Sequence, residues 1–212
     1  MERFWLDGQT VLFQGDSITD CGRSRDDDSD LGNGYPQKIV EIYKNLFPEN
    51  RVKFINRAVS GDRTKELLAR YEKDIKEIRP DFISILIGIN DVWRKFDSND
   101  PTSNDQFREN FGTLLRKIKR DCPKAKIMII EPFVLDTLED RRLWFETFDG
   151  IVRVVRDLAL EYADYYLPLD GILHGYLKKG YTKADLLDDG VHPTQTGHGI
   201  IAYEYMKLLN II

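Results

Sequence analysis

At 212 residues, with 42% hydrophobic and 32% charged residues, the chain has the length and composition of a globular protein built around one core. Its net charge of −5 and pI near 5.3 exclude a general binder of nucleic acid or of anionic membrane, because such partners need a basic field. The opening MERFWLDGQT has no signal-peptide apolar run, no segment approaches the ~20 apolar residues of a membrane span, and Cys21 and Cys122 are too few for a disulfide scaffold. A cytoplasmic protein is the expectation.

Short apolar runs alternate with longer stretches of helical period. Val11-Leu12-Phe13 opens the series of strands, and a charged excursion, RSRDDDSD (Arg23 to Asp30), follows it as a solvated loop. Ile39, Ile42, Tyr43 and Leu46 then recur at i, i+3, i+4, i+7, the spacing of one helix face. Val52 to Val59 gives a second strand. Leu67, Leu68, Tyr71, Ile75 and Ile78 give a second helix that stops at Pro80. Phe82 to Ile87 is a third strand, followed by a polar loop from Lys95 to Asp105. Phe107, Phe111, Leu114, Leu115 and Ile118 mark a helix ending before Pro123, and Ile127 to Ile130 a fourth strand. A helix over Leu143 to Tyr162, a strand over Tyr165 to Leu169 and a helix from Thr194 to Leu209 complete the series.

The third and fourth runs are almost continuously apolar, as parallel strands covered on both faces must be. Alternation of this kind predicts an α/β fold, a three-layer α/β/α sandwich of flavodoxin-like type with a five-stranded parallel sheet. Residues 1–212 read as a single domain, without repeats or a flexible linker.

Ligands bind beyond the carboxyl ends of the strands of an open parallel sheet, so the residues that follow each strand matter most. Gly15-Asp16-Ser17 follows the first, Ser60-Gly61-Asp62 the second, Gly88-Ile89-Asn90-Asp91 the third and Pro132-Phe133 the fourth. Asp189-Gly190-Val191-His192-Pro193 comes after the fifth and a connecting stretch. Ser17 needs a base to take its proton, and a neutral imidazole titrates in the right range. His192 supplies it, and Asp189, placed three residues before it, can fix the ring tautomer. The charge that builds on an attacked carbonyl oxygen needs donors already in place: the Asn90 amide and the backbone N–H groups of Gly61 and Ser17. Gly61 suits that task because, lacking a Cβ, it lets the backbone approach a substrate.

Taken singly these blocks are weak. G-D-S is a common turn, D-x-x-H can cap a helix, and GIND can be a tight turn. Four such blocks, each after a predicted strand, carry the inference. In order and spacing, Gly15-Asp16-Ser17, Gly61, Gly88-x-Asn90-Asp91 and Asp189-x-x-His192 resemble the four blocks of the SGNH (GDSL-type) hydrolases. The resemblance runs from the first strand to the last helix. It implies the fold of that superfamily, with Ser17, Gly61, Asn90 and His192 as its four signature residues. The flanks GDSITDCGR and GINDVWR look like the acetylxylan-esterase branch, whose members remove acetyl groups from sugar hydroxyls.

The expected activity is therefore that of a serine carboxylic-ester hydrolase without metal or cofactor. Ser17, Asp189 and His192 form the triad, Ser17, Gly61 and Asn90 the oxyanion hole, and an O-acetylated sugar is the substrate. Asp16 and Trp93 are candidate substrate-binding residues, although Asp16 also suits a role in holding the nucleophile turn. Trp93, Phe133 and Trp144 are candidates to line the cleft. His174 and His198 read as surface or packing residues. No His/Asp/Glu cluster has metal-ligand spacing, no Gly-rich loop cradles phosphate, and there is no G-x-S-x-G elbow. The partners expected are a small-molecule ester and no nucleic acid or membrane; a homo-oligomer is compatible with this. A lysophospholipase or thioesterase would want apolar rim loops, and those in view are rich in Asp, Asn, Ser, Arg and Lys. A non-catalytic carbohydrate-binding module on the same sandwich would be signalled by loss of Ser17 or His192, and both are present.

Overall fold

The computed structural model describes residues 3–212. Five strands, β1 (Thr10–Gly15), β2 (Lys53–Asn56), β3 (Phe82–Leu86), β4 (Lys126–Ile130) and β5 (Tyr165–Leu167), pair in the order β2-β1-β3-β4-β5. Every pairing is parallel, with Val11 opposite both Phe54 and Phe82, and Phe82 opposite Lys126. All of FISIL in β3 and the IMII of β4 are buried, since helices cover both faces. Each such aliphatic side chain contributes roughly 1.5–3 kcal/mol relative to exposure. On one side α2 (Tyr35–Leu46) packs against α9 (Gln195–Leu208); on the other α5 (Asn104–Asp121) packs against α3 (Thr64–Ala69) and α6 (Phe145–Tyr162). The three-layer α/β/α sandwich is the one the alternation predicts.

Four short helices were not legible as such. These are α1 (Ser17–Asp20), α4 (Ile89–Asp97), α7 (Leu169–Lys178) and α8 (Lys183–Leu186). In α4 the apolar positions Ile89, Val92, Trp93 and Phe96 do follow i, i+3, i+4, i+7, but polar residues fill the rest of INDVWRKFD. The loop expected from Lys95 therefore begins only after Asp97. Likewise β5 stops at Leu167, because Pro168 has no N–H for the ladder, and Leu169 belongs to α7.

The helix expected over Leu67 to Ile78 is broken. α3 ends at Ala69 and a π-turn spans Glu72–Lys76, its widened ring closed by the Glu77 N–H donating to Glu72 O at 3.0 Å. At the join the Arg70 guanidinium bonds the carboxylates of Asp62 and Asp74, which ties this segment back to the loop after β2.

Chain order changes direction across the sheet between β1 and β3, so the crevice at their carboxyl ends is the topological switch point. Ser17 stands immediately beyond β1 and Asn90 just beyond β3.

Candidate active site

Ser17 is the first residue of α1. Asp16 caps that helix, its Oδ1 accepting from the Ile18 N–H at 3.0 Å, and the Cys21 N–H closes the turn on Ser17 O at 3.0 Å. Asp16, a candidate substrate-binding residue, is 1% exposed, and the carboxylate oxygen that caps α1 is turned to the backbone. It holds the turn that carries Ser17. Burial raises its pKa to about 7, against the lowering effects of the Ile18 N–H and the nearby His192.

The loop after β2 is anchored from three directions. The Ser60 N–H donates to Asp20 Oδ2 at 2.8 Å, tying the loop to α1. Thr64 donates from its N–H to Asp91 Oδ2 at 3.0 Å and from its hydroxyl to Asp91 Oδ1 at 2.9 Å, tying it to α4. Between them Asn90 Nδ2 donates to Asp62 O at 3.0 Å, which fixes the amide plane and leaves the second N–H of that amide for another acceptor. Gly61 lies between these anchors at φ +87°, a conformation few side chains adopt, and a Cβ there would meet nothing within 4 Å. The glycine is thus required by its backbone angle, and the space in front of it is open. Asp91, which the sequence showed only as a neighbour of Asn90, is the residue that holds these blocks together. Burial raises its pKa to about 6 despite the Thr64 bonds that lower it.

His192 reaches the same point from the far end of the chain. Its Nε2 lies 3.0 Å from Ser17 Oγ and its Nδ1 2.9 Å from Asp189 Oδ2. The other carboxylate oxygen of Asp189 accepts from the His192 N–H at 2.8 Å and the Val191 N–H at 3.0 Å. Burial would raise the pKa of Asp189, but these bonds, with the His192 ring first among them, outweigh it and hold the carboxyl well below its ordinary range. An ionised Asp189 takes the Nδ1–H, leaving Nε2 unprotonated to accept from the Ser17 hydroxyl. The bond from Asp189 also raises the pKa of His192; burial opposes this, the Asp16 charge adds to it and the Arg141 charge opposes it.

The aromatic candidates divide. Trp93 is half-buried, with its ring centroid 5.8 Å from that of His192. Trp144 and Phe133 are fully covered, so the expectation that they line the cleft is corrected: both are core residues. Trp144 supports Trp93 from behind, with ring centroids 5.1 Å apart. His198 is buried, accepting from the Tyr35 N–H at 3.2 Å, and burial lowers its pKa to about 4; His174 is exposed on α7. Arg141, on the 3-10 turn Glu139–Trp144, reads in the sequence as one more surface charge, but in the structure it lies against Trp93, Trp144 and the Asp189 loop. Among the described residues, no group of three or more His, Cys, Asp or Glu side chains could hold a metal ion, and no helix is long and apolar enough to cross a membrane.

Residues 13–200 match the family model of the GDSL-like Lipase/Acylhydrolase family. The chain belongs to this family. An acetylxylan esterase from Geobacillus stearothermophilus is 34% identical over 206 residues, covering 94% of this chain and 93% of that one. A solved structure of an acetylxylan esterase from the same organism superposes with a TM-score of 0.87 at 32% identity, covering 96% of this chain and 95% of that one. A protein from Parabacteroides merdae described as a GDSL-like lipase gives a TM-score of 0.91 at 29% identity, with 98% of each chain covered. With the family established, the protein is a serine carboxylic-ester hydrolase.

Proposed function

We propose that Ser17, His192 and Asp189 hydrolyse acetyl esters of small sugars, with xylo-oligosaccharides as the substrate class. One observation carries the assignment of residues: the continuous relay from Ser17 Oγ through His192 to Asp189, at 3.0 and 2.9 Å. Ser17 Oγ attacks the acetyl carbon while His192 Nε2 takes its proton. Negative charge moves to the carbonyl oxygen, which the backbone N–H groups of Ser17 and Gly61 and the free N–H of Asn90 receive. The imidazolium, steadied by Asp189, returns the proton to the sugar oxygen as the C–O bond breaks. Water then attacks the acetyl-enzyme, giving its proton to His192, which passes it to Ser17 Oγ as the bond to the acyl carbon breaks and acetate leaves.

Two findings support the substrate class, the relatives and Trp93, and a further one supports the residues of the relay. The curated relative is an acetylxylan esterase, and a solved relative, at 31% identity and a TM-score of 0.88, is described as an acetyl-xylooligosaccharide esterase. Catalytic mutants of the relative replace a serine, an aspartate or a histidine by alanine, the residue types of the relay here. Trp93 beside His192 presents a flat ring that can limit the acyl group to a short one. We further propose that residues 1–212 act as one domain without metal or cofactor, and that the protein is cytoplasmic, in keeping with two free thiols.

A second reading, hydrolysis of a longer acyl ester as by a lysophospholipase or thioesterase, is favoured by one feature absent from the sequence-level picture of polar rim loops. Leu138, Leu143 and Phe96 are exposed on the segments that also carry Trp144 and Trp93. Matched assays of p-nitrophenyl acetate and octanoate, with acetate release from acetylated xylo-oligosaccharides, separate the two. The acetate ester should turn over far faster, and Trp93→Ala should narrow the gap, since each methylene that does not fit costs ~1–3 kcal/mol. Faster turnover of the octanoate by the wild-type protein would replace the acetyl-sugar reading with the second.

A further inference from the structure

Arg141 is a cation placed where charge is expensive. Its side chain is only 6% exposed, yet its one carboxylate partner among the described residues, Asp140, is 56% exposed and sits beside it in sequence. Its guanidinium carbon lies 4.1 Å from the ring centroid of Trp144 and 4.8 Å from that of Trp93. Nε donates at 3.0 Å to the backbone carbonyl of Asp189, the residue that orients His192. Trp93 in turn stands against the His192 ring. The guanidinium therefore reaches Asp189 from behind through a hydrogen bond and His192 from the side through the Trp93 indole, which is tilted 53° to the imidazole.

The loop that carries Asp189 is closed on itself, the Asp188 N–H donating to His192 O at 2.9 Å, and it also meets the segment that leads into the 3-10 turn. The Leu135 N–H donates to Gly190 O at 2.9 Å, and a Cβ on Gly190, which sits at φ +89°, would come within 2.3 Å of Leu135 O and 3.1 Å of Arg141 Cγ. The fit is close enough to transmit the position of the 3-10 turn to the loop. The charged groups that bear most on His192 are Asp189 from its own loop, Asp16 from the turn that carries Ser17, and the cation Arg141.

We infer that Arg141 is a positioning residue for the Asp189–His192 pair, fixing the Asp189 carbonyl through Nε and the His192 ring through Trp93. This inference rests on the triad assigned above. A planar, permanently charged guanidinium suits the position because it can stack on two indoles and donate in its own plane at once, whereas an ammonium can only approach as a point charge. Packing alone would call for a leucine or methionine here and would leave the Asp189 carbonyl without its Nε partner.

The test is a pair of variants, Arg141→Gln and Arg141→Lys, assayed with p-nitrophenyl acetate across pH and checked for folding by circular dichroism. Arg141→Gln should lower kcat by about 10-fold or more with KM within about twofold, because small misplacement of a catalytic group is costly. Its acid-side inflection should also move to higher pH, as the cation that opposed protonation of His192 is gone. Arg141→Lys should return the inflection towards that of the wild-type protein while recovering kcat only in part. If Arg141→Gln does not fold, Arg141→Lys alone decides, with reduced kcat at unchanged KM expected. Wild-type kcat with an unmoved pH profile in either folded variant would overturn the inference. Ser17→Ala is assayed alongside: turnover persisting there would instead overturn the triad itself.

Discussion

On the nucleophile side of the site, Asp16, Asp20 and Asp91 are covered by protein, and each holds a loop end through backbone N–H groups or, for Asp91, Thr64 as well. On the base side, Asp189 and His192 keep 29% and 41% of their side chains exposed and are held by a loop. One half is thus set into the crevice between β1 and β3, and the other is laid across it. The difference teaches where rigidity has to come from. Buried carboxylates bonded to backbone are costly to disturb and hold the proposed oxyanion donors in place. The Asp189 and His192 side chains are less covered, and on the inference above their geometry also depends on the turn that carries Arg141.

If this division is right, substitutions on the two sides fail differently. The largest effect is expected from His192→Ala, which removes the proton acceptor and should lower kcat by about 10⁴–10⁶-fold with the fold intact. A loss below 10²-fold would move the base elsewhere. Asp189→Asn should cost somewhat less, up to about 10⁴-fold, because the imidazole remains in a poorer tautomer. Losses equal to those of His192→Ala would show that Asp189 does more than orient the ring. Asn90→Ala should lower kcat by about 10²–10³-fold, ~2.7–4 kcal/mol, with KM much less affected. An effect confined to KM would make Asn90 a substrate-binding residue and remove it from the oxyanion hole.

Stability sharpens the contrast. Asp91→Ala leaves the Thr64 N–H and hydroxyl unpaired in a buried place, which should cost about 1–3 kcal/mol in urea unfolding. Asp189→Asn should change the midpoint little. Equal destabilisation by the two would erase the distinction between a set-in half and a laid-on half.

The pH dependence follows from His192. Its pKa is raised above 6.5, chiefly by the Asp189 bond, and only the neutral ring can accept the Ser17 proton. Activity should therefore rise with pH through an inflection above that value, and be lost below it as the ring protonates. A flat profile between pH 5 and 8 would count against a histidine base.

What the sequence made legible follows the same line. The nucleophile turn, the Gly61 loop and the Asn90 block each directly follow an apolar run, so their position on the rim could be read from local order. The Asp189-x-x-His192 spacing is local too. The supports were harder to see, since Arg141 meets Asp189 only after folding brings together segments 48 residues apart. Nothing in EDRRLW distinguishes it from Arg142, which pairs with Asp136 at the surface. Trp144 and Phe133 illustrate the opposite error. An aromatic near a strand end can face the cleft or the core, and periodicity does not say which. The helices α4 and α7 were hidden because their apolar stripes are short and sit directly beside strand or motif residues.

The most direct test of the central claim is to trap the acyl-enzyme. Wild-type protein mixed with p-nitrophenyl acetate at a pH above the His192 inflection, quenched with acid within the first turnover and digested, should carry one acetyl group on the peptide containing Ser17. The His192→Ala protein, lacking the base, should carry almost none over the same interval. An acetyl group found on another residue, or a burst of p-nitrophenol that survives in Ser17→Ala, would contradict Ser17 as the nucleophile.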